Sequence, residues 1–125
     1  MIKNLLLVGL GGGIGSILRY LCQKWISESY QNIFPLGTFL VNISGCFLIG
    51  VFYALGERSN LLSPQVRFLL ITGLCGGYTT FSTFAFENFN LLRIGGMSTF
   101  FLYAIASLAV GIIAVFLGSF LIKII

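Results

Sequence analysis

Gly76-Gly77-Tyr78-Thr79-Thr80-Phe81-Ser82-Thr83-Phe84 lies in the middle of a stretch that otherwise reads as membrane-buried. The adjacent glycines cost roughly 2 kcal/mol of helix propensity. Four hydroxyls then follow in five residues, interleaved with phenyl rings. Hydrocarbon offers no water to backbone or hydroxyl groups, so such a segment persists only where it faces protein or a wet cavity. The expectation is a helix broken near its centre that carries a candidate ion site.

The residues around this segment set the class. Of 125 residues, 58% are hydrophobic and 8% charged, and the mean hydropathy is +1.04. A soluble domain of this length has too much surface for that composition. The reading is an all-α integral membrane protein with one domain over residues 1–125. Charges and turn signals divide it into four spans, approximately 4–25, 35–56, 68–92 and 97–122. Each covers the roughly 20 residues that cross a bilayer core, and none alternates like a barrel strand. Four crossings put both termini on one side. The first apolar run has no small-residue cleavage pattern and is expected to stay rather than act as a signal.

Composition also excludes function classes. The net charge of +4 comes from seven cations, spread over loops and ends instead of forming a nucleic-acid patch. Cys22, Cys46 and Cys75 are odd in number, lack CxxC spacing, and fit neither a disulfide framework nor a zinc site. Histidine is absent from the sequence, which removes the commonest metal ligand and general base. No base sits beside a nucleophile, so an enzyme is not expected.

Several polar or small residues fall inside the spans. Gly9/Gly13 and Gly11/Gly15 are both GxxxG pairs on the first span, a pattern for close helix packing. The strict dinucleotide fingerprint fails there. Arg19 either snorkels to the interface or raises anion concentration at a vestibule. Thr38 and Asn42, four apart, share a face, and Asn42 lies about 5 Å from the midplane at 1.5 Å per residue. Its amide is either interhelical glue or a donor to a passing anion. Tyr103 and Ser107 share a face of the fourth span in the same way.

The midpoint of the third span is residue 80. With Thr79 at zero on a wheel of about 100° per residue, Thr80, Ser82 and Thr83 fall near 100°, 300° and 40°. Phe81 and Phe84 fall near 200° and 140°, so the two rings share the opposite face. If the helix opens at the glycines, freed carbonyls need a partner, and a cation is a reasonable one. Ring edges are electropositive and suit a small anion. Glu87 lies roughly 10 Å from the midplane along the helix, and no titratable group at the centre couples a proton.

These residues resemble the Fluc (CrcB) fluoride channels over essentially the whole chain. Gly11-Gly12-x-x-Gly15-Ser16-x-x-Arg19-Tyr20 is similar to the family's first-helix motif, with Ser16 where alanine is usual. Pro35-x-Gly37-Thr38-Phe39-x-Val41-Asn42-x-x-Gly45 is similar to the second, with Phe39 where leucine is common. Gly73-x-x-Gly76-Gly77-Tyr78-Thr79-Thr80-Phe81-Ser82-Thr83-Phe84 resembles the specific third-helix signature.

The resemblance implies an antiparallel dual-topology homodimer in the cell (inner) membrane, with two passive fluoride pores and fluoride resistance as the outcome. It implies a structural Na⁺ at the dimer centre, on main-chain carbonyls of Gly76 and Thr79. Phe81 and Phe84 are then the pore phenylalanines and Asn42 the amide that contacts fluoride. Ser82, Thr83, Tyr103 and Ser107 line the path, and Arg19 sits near a vestibule. The implied partners are fluoride, lipid and a second copy of the chain, with no nucleic acid. Competing readings are a small four-helix multidrug or cation exporter and a non-transporting membrane assembly subunit. An exporter needs a membrane-embedded acid, and Glu28, Glu57 and Glu87 read as lying in loops or toward a span end.

Orientation follows Lys and Arg near span ends. Lys3, Arg58, Arg67 and Lys123 lie on the side of the termini, against Lys24, Arg93 and, if it snorkels outward, Arg19. A balance this even leaves two readings, an orientation fixed by features other than charge or insertion both ways with antiparallel self-pairing, and the family resemblance implies the second. A reporter active on one side only, fused after Ile125, is expected to signal in both orientations; a strongly one-sided signal contradicts dual topology.

Overall fold

The computed structural model describes residues 1–59 and 62–125, and among these every regular element is helical. Four segments are long and apolar enough to cross a membrane. The first helix is Ile2–Ser29 and the second Leu36–Ser59. The third span, Pro64–Arg93, is interrupted, and the fourth helix is Met97–Ile124. The chain is therefore a multi-pass membrane protein. Of the loop expected from Glu57 to Pro64, Asn60 and Leu61 lie outside the described residues; Glu57 and Arg58 extend the second helix.

The ends of the third span have chemical causes. Ser63 caps it, its Oγ accepting the Val66 N–H at 3.3 Å, with Pro64 in the first turn where a missing N–H costs nothing. At the far end, Gly95 adopts a left-handed φ of 84°. Gly95 and Gly96 donate to the carbonyls of Leu92 and Leu91 at 3.2 and 2.8 Å, which closes the helix by the Schellman pattern.

Packing depends on missing side chains. Lipid tails are as apolar as leucine, so helices associate through close backbone approach. Gly50 faces the Val115 carbonyl and Gly118 the Phe47 carbonyl, while a Cβ at Gly111 would lie 3.5 Å from Cys46 Sγ. Buried Ala54 and Ala114 belong to this second–fourth pair. The first helix packs on the third span, with Gly11 and Gly15 against Gly73, Leu74 and Tyr78 backbone, and Gly77 against Gly12. Large apolar side chains point outward: Leu6, Leu108 and Phe116 are 69%, 67% and 71% exposed.

Two expectations change here. Gly9 and Gly13 do not make the close packing inside the chain; a Cβ at either would meet nothing within 4 Å. Two residues turn about 200° around a helix, so Gly11 and Gly15 face the third span and Gly9 and Gly13 face away. The helix also does not open at Gly76-Gly77. Gly76 is helical (φ −63°, ψ −39°), and the turn Gly76–Tyr78 is complete. The break is at Thr79-Thr80, because Gly77 is needed for space against Gly12 rather than for flexibility.

The Gly118→Ala variant adds a Cβ against the Phe47 carbonyl and is expected to lose about 1–3 kcal/mol. Gly9→Ala has open space and is expected to be no less stable than wild type. Thermal unfolding in detergent compares the two, and equal losses contradict the packing described.

Candidate functional site

The third span runs as a short α turn (Pro64–Arg67), a π-helix (Phe68–Cys75) and one more α turn to Tyr78. Thr79 (φ −87°, ψ 157°) and Thr80 (φ −150°, ψ 121°) are extended. The helix restarts as Phe81–Arg93, capped by Thr80, whose Oγ1 accepts the Thr83 N–H at 3.3 Å.

Hydrogen bonds around the break are redistributed among named groups. The Thr79 N–H and Oγ1 both donate to the Cys75 carbonyl, at 3.0 and 2.9 Å. Arg19 Nε donates to the Gly77 carbonyl at 3.2 Å. Asn42 takes the Thr80 N–H on Oδ1 at 3.0 Å and donates from Nδ2 to the Thr80 carbonyl at 3.3 Å. An unbroken helix would send the Thr80 N–H to Gly76 and the Thr83 N–H to Thr79; both donors are diverted. The Gly76 and Thr79 carbonyls therefore lose their ordinary helical donors, the N–H groups of Thr80 and Thr83. Gly76 is exposed, with only the Ile71 carbonyl at 4.0 Å from a built Cβ. Carbonyls that lose their helical donors inside a membrane suit a small hard cation. Among the described residues, no group of three acidic, Cys or His side chains offers an alternative metal site.

Beside the break is a cavity of about 260 Å³ lined by Asn42, Cys46, Thr79, Phe81, Phe84 and Ser107, among others. Phe81 is 79% exposed on the face of the chain. Its ring centroid is 6.0 Å from that of Phe84, with the planes tilted by 45°. Ser107 Oγ is buried and has no hydrogen-bond partner, so a polar atom on this wall is left for a ligand.

A second cavity, about 500 Å³, is lined by Gln23, Lys24, Asn32, Thr38, Thr83 and Glu87 together with neighbouring residues. A hydrogen-bond chain from all four spans crosses its floor. Gln23 Nε2 donates to Thr38 Oγ1 at 3.0 Å, and Thr38 Oγ1 donates to Glu87 Oε2 at 2.9 Å. Tyr103 donates from its hydroxyl to Glu87 Oε1 at 2.9 Å. Thr38 and Tyr103 are 3% and 0% exposed. Buried donors and acceptors that satisfy each other hold helices in one arrangement, since losing one partner strands the rest.

The expected site residues separate into two groups. Asn42, Phe81, Phe84, Ser107 and Thr79 meet at the smaller cavity. Thr83 lies on the larger one and is tied to Thr80 by a 3.2 Å hydroxyl bond, while Ser82 Oγ is 3.4 Å from Thr80 Oγ1. Tyr103 stands behind Phe84, at 5.0 Å between centroids, and uses its hydroxyl on Glu87. Arg19 turns inward to Gly77, and the basic residue lining the larger cavity is Lys24. Glu87 does not belong to the span end in any functional sense; it is half-buried between helices. Its position four residues after Thr83 is the signal, since i and i+4 share a face. Cys46 lies four residues after Asn42 on the same face of the second helix and lines the same cavity.

A helical membrane protein with an interrupted third span, backbone donors diverted to side chains at the break and two phenylalanines beside it is a narrow class. The family model described as "CrcB-like protein, Camphor Resistance (CrcB)" matches residues 6–119, and the chain belongs to this CrcB family. It is 46% identical over 121 residues to the fluoride-specific ion channel FluC of Flavobacterium psychrophilum, covering 97% of this chain and 98% of that one. It is 52% identical over 116 residues to the protein of the same name in Phocaeicola vulgatus, covering 93% and 95%. The Aquifex aeolicus FluC is 46% identical over 114 residues, covering 91% and 92%.

Thr38→Val removes the hydroxyl that both accepts from Gln23 and donates to Glu87. It is expected to cost about 1–3 kcal/mol, read as a lower thermal midpoint in detergent; an unchanged midpoint contradicts a structural role for this chain of bonds.

Proposed function

We propose that this protein is a passive, fluoride-selective channel of the cell inner membrane that lets cytoplasmic fluoride leave down its gradient. The observation that carries the reading is the small cavity beside the break, where Phe81, Phe84, Asn42 and the unpartnered Ser107 hydroxyl converge. The relatives named fluoride-specific channels support it.

The chemistry follows from the ion. Fluoride is small and holds its water tightly, so a selective path must replace that water with several donors. One Nδ2 hydrogen of Asn42 remains after its bond to Thr80, the Ser107 hydroxyl is free, and ring edges of Phe81 and Phe84 supply positive partial charge. Thr83 and the larger cavity give a polar approach from one side. One chain leaves Phe81 and Gly76 uncovered, which supports a complete site formed between two copies. In this reading the copies are antiparallel, in keeping with the even Lys/Arg balance, and symmetry gives two pores per dimer. The carbonyls of Gly76 and Thr79 from each copy would hold a central Na⁺, which supplies fixed positive charge between the pores.

The exporter reading weakens on Glu87. An exporter's acid has to exchange protons and cations, and both Glu87 oxygens here are engaged by hydroxyls from two other helices.

Purified protein in liposomes is expected to release fluoride and not chloride; release of neither removes the channel reading. Phe81→Ile, which loses the ring quadrupole while keeping an apolar side chain, is expected to cut fluoride efflux about tenfold with the dimer intact. Undiminished efflux removes Phe81 from the pathway.

A further inference from the structure

We propose that Asn42 is the positioning residue that keeps the third span open, so that one side chain prepares both the cation carbonyls and the anion cavity. This deepens the function proposed above and rests on its reading of Gly76 and Thr79 as Na⁺ ligands. In a continuous helix the Thr80 N–H bonds to the Gly76 carbonyl. Here it bonds to Asn42 Oδ1 at 3.0 Å, and Asn42 Nδ2 returns to the Thr80 carbonyl at 3.3 Å. A planar amide bonded to both polar groups of one residue fixes that residue as a strand neighbour does. Thr80 accordingly has extended dihedrals inside a transmembrane span.

The consequence reaches in two directions. Toward the chain surface, the Gly76 carbonyl loses its ordinary helical donor, the Thr80 N–H. Toward the cavity, Asn42 joins Phe81, Phe84 and Ser107 on the wall, with one amide hydrogen uncommitted. If the clamp is lost, Thr80 is free to re-close the helix onto Gly76, and the freed carbonyl disappears. Binding a cation at Gly76 opposes that closure and so holds Asn42 in the pose that faces the cavity. Linkage makes the coupling reciprocal. The Thr80 cap keeps the Thr79 carbonyl free by a separate bond to the Thr83 N–H, so Asn42 acts on the Gly76 half of the site.

The test uses the full chain with two substitutions. Asn42→Asp keeps an oxygen to accept the Thr80 N–H and loses the amide donor. Asn42→Ala loses both. Each protein is titrated with NaCl against KCl at constant ionic strength, reading the thermal midpoint, and Thr80 amide hydrogen exchange is measured in parallel. Fluoride efflux is expected to fall in both variants. The Na⁺ concentration needed for stabilisation is expected to rise about tenfold in Asn42→Ala, and Thr80 exchange to quicken by about the same factor. Both readouts are expected to stay within about threefold of wild type in Asn42→Asp, because the acceptor that holds Thr80 is retained.

Unchanged Thr80 exchange and Na⁺ midpoint in Asn42→Ala overturn the clamp. If that variant does not fold, Asn42→Asp decides: loss of Na⁺ stabilisation together with faster Thr80 exchange overturns the assignment to the acceptor oxygen. A wild-type protein indifferent to Na⁺ removes the cation reading, and Thr80 exchange still judges the clamp independently.

Discussion

A backbone inside hydrocarbon must find a partner for every polar group it exposes, and the Thr79-Thr80 interruption is where this chain meets that constraint. Two extended residues in the middle of a span release several donors and acceptors at once. Asn42 from the second helix, Arg19 from the first and the hydroxyls of Thr79 and Thr80 take up some of them. The carbonyls of Gly76 and Thr79 lose the N–H donors that a continuous helix would give them. In the proposed function, the groups available to an ion are those that the support of the break does not consume.

That support is only possible because the helices come close. Gly11 and Gly15 let the first helix lie on the backbone of residues 69–78, which brings Arg19 within 3.2 Å of the Gly77 carbonyl. Gly50 and Gly118 do the same for the second and fourth helices, placing Asn42 and Ser107 on one cavity. The Gln23–Thr38–Glu87–Tyr103 chain then ties the second half of the third span to the other three helices. Small residues set distances, and the polar network sets register.

Much of this was legible in the sequence for physical reasons. Span number and helical class follow from apolar length, and the hydroxyl cluster marked an interrupted third span. Its location by three residues was not legible, because a glycine pair reads the same whether it supplies flexibility or space. Gly77 supplies space, against Gly12. The packing face of the first helix was ambiguous in the same way, since GxxxG pairs at Gly9/Gly13 and Gly11/Gly15 differ only in phase. The lateral position of Glu87 was not legible, because distance along a helix axis says nothing about it; its partners Thr38 and Tyr103 lie 49 and 16 residues away. Asn42 was recognisable as a buried amide, but its partner, 38 residues on, was not.

The break diverts the ordinary helical donors of the Gly76 and Thr79 carbonyls while the Gly77 carbonyl accepts from Arg19, and in the function proposed above the first two carbonyls take a cation. Carbonyl ¹³C chemical shifts, measured in bilayers with labelled glycine and threonine while Na⁺ replaces K⁺, test it directly. The account predicts shifts at Gly76 and Thr79 with Gly77 unmoved; no carbonyl response to Na⁺, or an equal response at Gly77, would contradict it.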